Sequence, residues 1–205
     1  MKSTGPKHPV DPQADDAVDA RLLDDAIASI APSLSDMLMR QWERDRKSKA
    51  EAKPLPARAT LRSLVQALPT PWLAALAKIL GARNGRRSER GIAVAQALKD
   101  TPYLHRTVVD TFGADERHLL DSVLFRGGIE KASTSMRRYG SDEADGWFWV
   151  ERPPRSIMGR VRLHGLAFVG TQVISGRRHR MLVIPEELRE PLRTILAATR
   201  DALWQ

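Results

Sequence analysis

The chain has 205 residues, 42% hydrophobic and 28% charged, with a formal net charge of +8 and no cysteine. That length holds one large or two small domains, and the absence of cysteine removes disulfides, thiolate nucleophiles and cysteine-based zinc sites. No apolar run approaches the ~20 residues of a membrane span, and Met1-Lys-Ser-Thr-Gly-Pro lacks the apolar core of a secretory signal, so a cytoplasmic, nucleoid-associated location is expected.

Residues 1–15 carry three prolines and little that could be buried, which predicts a disordered arm. Residues 16–57 read as a helical arm and linker. One helix starts near Asp16, with Val18, Leu22, Ile27 and Ile30 at helical spacing, and stops at Pro32. Ser33 can cap the next, which runs through Met37, Leu38 and Trp42 into a charged stretch, Arg40 to Lys53. The alternating signs of that stretch predict a solvated helix with pairs three or four apart. The apolar set Leu22, Ile27, Ile30, Met37 and Trp42 suits pairing of two copies into a homodimer, and Lys53-Pro-Leu-Pro-Ala reads as a linker.

Residues 58–113 are expected to form a small helical domain. Its helices run over Leu61–Leu68, from Thr70-Pro71 to Gly81, through Ile92 and Leu98, and from Thr101-Pro102 to Gly113; in each Thr-Pro pair the threonine is read as the cap. Residues 114–205 change character. A helix over 114–125 and a short one over 129–138 precede a polar turn, Tyr139 to Gly146, and Trp147-Phe-Trp-Val, a short strand or buried segment. A helix over about 155–164 follows, then strands Leu166–Ile174 and Met181–Ile184 joined at Ser175-Gly-Arg-Arg-His-Arg. Pro185 starts a terminal helix that ends at Trp204. The fold class expected is therefore mainly α, with a helical N-terminal part and a two- or three-stranded wing.

The charge is placed unevenly. No acidic residue lies between Glu151 and Glu186, while Arg152, Arg155, Arg160, Arg162, Arg177, Arg178 and Arg180 do, with His164 and His179. Ile157, Met158 and Val161 share one helical face and can seat the helix, leaving Arg155, Arg160 and Arg162 toward solvent. Helix, helix, helix and hairpin, with Arg160-Val-Arg-Leu-His-Gly-Leu-Ala-Phe-Val-Gly and then Val173-Ile-Ser-Gly-Arg-Arg-His-Arg-Met-Leu-Val-Ile-Pro, resembles a winged helix-turn-helix over residues 114–196. The resemblance implies double-stranded DNA as partner. A recognition helix with Arg155, Arg160, Arg162 and His164 would lie in the major groove, and a wing with Arg177, Arg178, His179 and Arg180 on the backbone or in a minor groove.

A second basic set, Arg83, Arg86, Arg87 and Arg90, sits in a glycine-rich connection. Helix, basic turn and helix over about 60–100 is similar to the small helical DNA-binding modules of the SAP and Rho N-terminal type, which implies phosphate contact there. The alternative for the whole chain is a protein-interaction adaptor that docks on a nucleic-acid-processing partner. Regulator, nucleoid or replication factor, and defence or mobile-element component all stay open.

Other motifs are set aside. Asp142-Glu-Ala-Asp145 spells a helicase box, but no Gly-x-x-x-x-Gly-Lys-Ser/Thr precedes it, so chance is the better reading. Asp45 with Glu51-Ala-Lys53 has a nuclease-like order on a predicted helix, where that chemistry needs a sheet edge. His8, His105, His118, His164 and His179 lack paired metal-ligand spacing. Trp72, Trp147, Phe148 and Trp149 are read as core rather than as base-stacking platforms. No catalytic residue, metal or cofactor is expected.

Overall fold

The computed structural model describes residues 34–82 and 85–202, and the chain divides into two compact units, residues 1–42 and 43–205. Helix α1 covers 34–51. Its residues 34–42 belong to the first unit and carry exposed Leu34, Met37 and Leu38. The expected helix from Asp16 to Ile30, with Leu22 and Ile27 of the pairing surface, and the cap Ser33 lie outside the described residues, as does Trp204.

The second unit is mainly helical with a small antiparallel sheet. After α1 come α2 (Leu61–Ala67), α3 (Thr70–Ile79), α4 (Arg87–Ala97) and α5 (Thr101–Arg106), which runs on into a π-helical turn, Thr107–Thr111. Then follow α6 (Ala114–Phe125), β1 (Ile129–Lys131), α7 (Ala132–Tyr139), α8 (Ile157–Leu163), β2 (Phe168–Ile174), β3 (Arg177–Val183) and α9 (Glu186–Ala202). The Thr-Pro starts are displaced by one residue: Thr70 and Thr101 are the first helical residues, and Asp100 rather than Thr101 caps α5 by accepting from the Tyr103 N–H at 3.2 Å.

The sheet order is β1-β3-β2. The chain over 129–131, expected as the start of a helix, is instead a strand paired with β3, Ile129 opposite Val183 and Lys131 opposite Met181. The cause lies just upstream. Gly127 and Gly128 at φ +80° and +85° close α6, their N–H groups bonding the carbonyls of Leu124 and Val123, and turn the chain onto the sheet edge. Three residues are too few for a period of two to show in sequence.

The stretch Lys53–Leu55, read as a linker, lies along β2. Thr171 donates its N–H to the Lys53 carbonyl and accepts from Leu55 N–H, both at 2.8 Å, which covers part of an open edge. Residues 147–150 form no strand. Trp72, Trp147 and Trp149 pack together instead, Trp149 stacked on Trp72 at 4.6 Å between centroids. One apolar core joins α2–α5 to α6–α9 and the sheet, continuous across residue 113. At Gly165 (φ +72°) a Cβ would meet Leu98 at 2.8 Å and Leu76 at 3.1 Å, so segments from both sides of that position are in close contact.

Among the described residues no helix is long and apolar enough to cross a membrane.

Candidate functional site

Helix α8 is the element expected to read DNA. Ser156 caps it, accepting from Gly159 N–H at 2.9 Å, and the Asp145 carboxylate sits over its first turn, accepting from the N–H groups of Arg155 (2.9 Å) and Ser156 (3.2 Å). The position an anion would take at this helix end is therefore filled by Asp145. Met158, Gly159, Val161 and Arg162 are buried, and Arg160 is the one exposed residue of the helix.

Arg160 is itself engaged. Its guanidinium donates to Glu116 of α6, with Nε at 2.6 Å from Oε1, and to the Arg155 carbonyl at 2.7 Å. Arg162, expected toward solvent, is 5% exposed and lies over the rings of Trp72 and Trp149 at 5.0 and 5.3 Å. It pairs with Asp142 at 3.0 Å and Glu51 at 2.7 Å. Arg180 of β3 meets the same two carboxylates, at 2.5 and 2.7 Å, and Lys47 of α1 stands 3.5 Å from Asp142. Three cations and two carboxylates thus form a buried ionic hub that ties α1, the 140–156 connection, α8 and the hairpin together.

Burial alone would raise the Asp142 carboxyl. The hydrogen bonds and charge of Arg180, with Arg162 and Lys47, outweigh it and hold the group down at about 2. Lys47 is lowered mainly by burial, against the pull of Asp142 and Glu51. The hub also corrects one sequence reading: Glu43, Lys47 and Glu51 form a buried stripe of α1 rather than a solvated face. Asp142 and Asp145 of the Asp-Glu-Ala-Asp run both accept hydrogen bonds within the second unit. Glu43 accepts from Trp147 N–H at 3.2 Å and pairs with Arg152. The acid-free run of arginines was the available signal for these partners, because guanidinium groups that enter a core need carboxylates supplied from elsewhere in the chain.

His164 ends α8 with its ring edge-on to Phe112 at 5.3 Å, and burial lowers its pKa. Its carbonyl accepts from the Tyr103 hydroxyl at 2.9 Å, which ties α5 to the end of α8.

The hairpin differs. Ser175 and Gly176, at φ +50° and +75°, make a tight two-residue turn. Arg177 and Arg178 follow, both exposed, with no carboxylate partner among the described residues. The register places Arg177 opposite Ile174 and Arg178 opposite Val173, so consecutive arginines leave opposite faces of the tip. His179, half-buried, and Lys131 of β1 lie on the Arg177 face, and Arg155 is exposed beside the start of α8.

In the second basic set, Arg83 lies outside the described residues. Arg87 donates from Nη2 to the Leu68 carbonyl at 2.5 Å, closing the end of α2, and Arg90 donates to the Gly85 carbonyl at 3.3 Å. Glu89 accepts from Arg86 N–H at 2.8 Å, so the start of α4 carries its own carboxylate. Among the described arginines of this set, Arg86 and Arg87 are exposed and Arg90 is half-buried.

Among the described residues no group of three or more histidines and carboxylates is placed to hold a metal ion. Comparisons with protein-family models, curated proteins and solved structures return no match for this chain.

Proposed function

We propose that this chain binds double-stranded DNA through the phosphate backbone, with the β2–β3 hairpin as the contacting arm of a winged helix-turn-helix. In this reading α8 is a structural post and not a reading head. The element order α6, β1, α7, α8, β2, β3 with sheet order β1-β3-β2 supports the winged-helix part. The observation that carries the binding part is a contrast within one acid-free run. Among the described residues, Arg152, Arg160, Arg162 and Arg180 are each paired with a carboxylate, and Arg155, Arg177 and Arg178 are not. A hairpin tip with arginines on opposite faces suits a groove walled by two phosphate rows.

Because α8 offers solvent one arginine already tied to Glu116, binding should be largely independent of base sequence. A mobility-shift titration of duplex DNA at rising salt tests this. Affinity should fall with log salt, with a slope of about −0.9 per phosphate contacted, and should differ little between unrelated sequences. Absence of any shift at low salt would refute the reading.

The adaptor reading is favoured by one observation of its own: the covered α8 leaves the usual reading surface closed, while Phe125 stands 91% exposed on the neighbouring helix. Co-sedimentation with a protein partner in the absence of any duplex affinity would bring it forward.

A further inference from the structure

Helix α6 buries Leu119, Leu120, Val123 and Leu124 and turns His118, Asp121, Ser122 and Phe125 outward. Between this outer face and the end of α7 lies an open groove of about 520 Å³, closed on the far side by Arg138 and Tyr139. Phe125 is held at its rim by the double-glycine end of α6 and is 91% exposed. On the opposite wall the Arg138 guanidinium lies 5.8 Å from the centre of the Tyr139 ring.

Three carboxylates, Asp115, Asp121 and Glu130, act on or near the groove. Asp121 is paired with Arg200 of α9 at 3.5 Å. Glu130 is buried, accepts from the Ser122 hydroxyl at 3.4 Å and lies 3.8 Å from Arg126. Arg138 is exposed with no carboxylate partner among the described residues, whereas Arg126, 55% exposed, is held by Glu130. Two aromatic side chains and one unpaired cation around a ligand-sized space match a planar group joined to an anion.

We infer that this groove takes an unpaired nucleotide of a nucleic acid strand, its base against Phe125 and Tyr139 and its phosphate on Arg138. The inference rests on the nucleic-acid reading above and deepens it. The hairpin holds duplex while the groove holds an adjoining single strand, so the preferred ligand is a duplex–single-strand junction. The two sites flank the same helix, since α7 lies against β3, where Arg180 Nη1 is 3.3 Å from Met136 Sδ. An apolar protein segment would cover Phe125 equally well but gives the Arg138 guanidinium nothing to bind.

The test measures the full chain against a blunt duplex, the same duplex with a thymidine tail, and a thymidine homopolymer. A tail should raise affinity. Phe125→Ala should remove about tenfold of affinity for the tailed and single-stranded probes and leave the blunt duplex unchanged. Its melting temperature should match the parent, because so exposed a ring contributes little to the core; Arg138→Ala should act in the same direction. Unchanged affinity of Phe125→Ala for the tailed probe, with the blunt duplex still bound, overturns the groove and leaves the hairpin reading standing. No binding to any probe overturns both. Self-association of the parent that Phe125→Ala abolishes, without effect on tailed DNA, assigns the groove to a protein contact and overturns the inference.

Discussion

Replacing Asp142 with asparagine should show how the buried hub holds the second unit together. Asp142 is 1% exposed and faces Arg162, Arg180 and Lys47, with Glu51 as the second carboxylate that pairs with the two arginines. Asparagine preserves the shape and one acceptor but leaves three cations against one negative charge. Breaking one side of a buried ion pair costs about 3–5 kcal/mol, because the stranded charge has lost its hydration and gained nothing. A loss of about 3 kcal/mol corresponds to a fall in Tm of roughly 6–12 °C for a unit of this size. The pH dependence gives an independent measure. A carboxyl held at about 2 against an ordinary value of 3.8 contributes about 2 kcal/mol. Because the folded value is the lower one, that stability is fully present above the unfolded value and is lost as pH falls toward 2. Urea unfolding of parent and Asp142→Asn at neutral pH, repeated down to the acid limb, reads both quantities. The variant should be less stable at neutral pH and should lose less on acidification. Stability within about 0.5 kcal/mol of the parent at pH 7, or parallel acid limbs, would refute the hub as a stabilising unit.

The remaining predictions concern separate elements. Arg177→Ala with Arg178→Ala should weaken duplex binding about tenfold and flatten the salt slope by about 2, with Tm unchanged, in a mobility-shift titration. Arg180→Ala, one residue beyond His179, should instead lower Tm, because it opens the hub; the difference between neighbours is the diagnostic result. Gly128→Ala should cost about 1–3 kcal/mol in urea unfolding, since a Cβ there falls 2.2 Å from Arg189 Nε at φ +85° and would displace that side chain from the Ile184 carbonyl. Gly127→Ala, with nothing within 4 Å, should cost only the backbone part, about 1 kcal/mol. Glu116→Ala should lose about 1–2 kcal/mol, because this buried carboxylate accepts from Gly113 N–H at 3.0 Å and anchors Arg160.

The helices were legible because their signals are local. Apolar spacing over Leu119, Leu120, Val123 and Leu124 is a property of twelve consecutive residues, and the Ser175-Gly176 turn names its own hairpin. The misreadings of the charged residues involve partners distant in sequence. Glu43 and Glu51 look like members of a charged surface helix until Trp147, Arg152, Arg162 and Arg180 are brought to them from about a hundred residues away. The periodicity of α1 specifies a stripe but not what covers it. Likewise Lys53-Pro-Leu-Pro has the composition of a linker, and only the uncovered edge of β2 gives its backbone groups a use.

The candidate site changed for a related reason. An arginine count along a sequence measures the guanidinium groups present, whereas binding depends on those still unpaired after folding. In the run between Glu151 and Glu186 the two quantities separate along the structure. Arg160, Arg162 and Arg180 are tied down by Glu116, Asp142 and Glu51, while Arg177 and Arg178, directly after the hairpin turn, have no carboxylate partner among the described residues. Position relative to the hub, more than residue type, therefore sorts structural from available charge. The same sorting explains why α8 can be rich in arginine and still have no free face, since each cation it carries is matched to a buried acid on a neighbouring element.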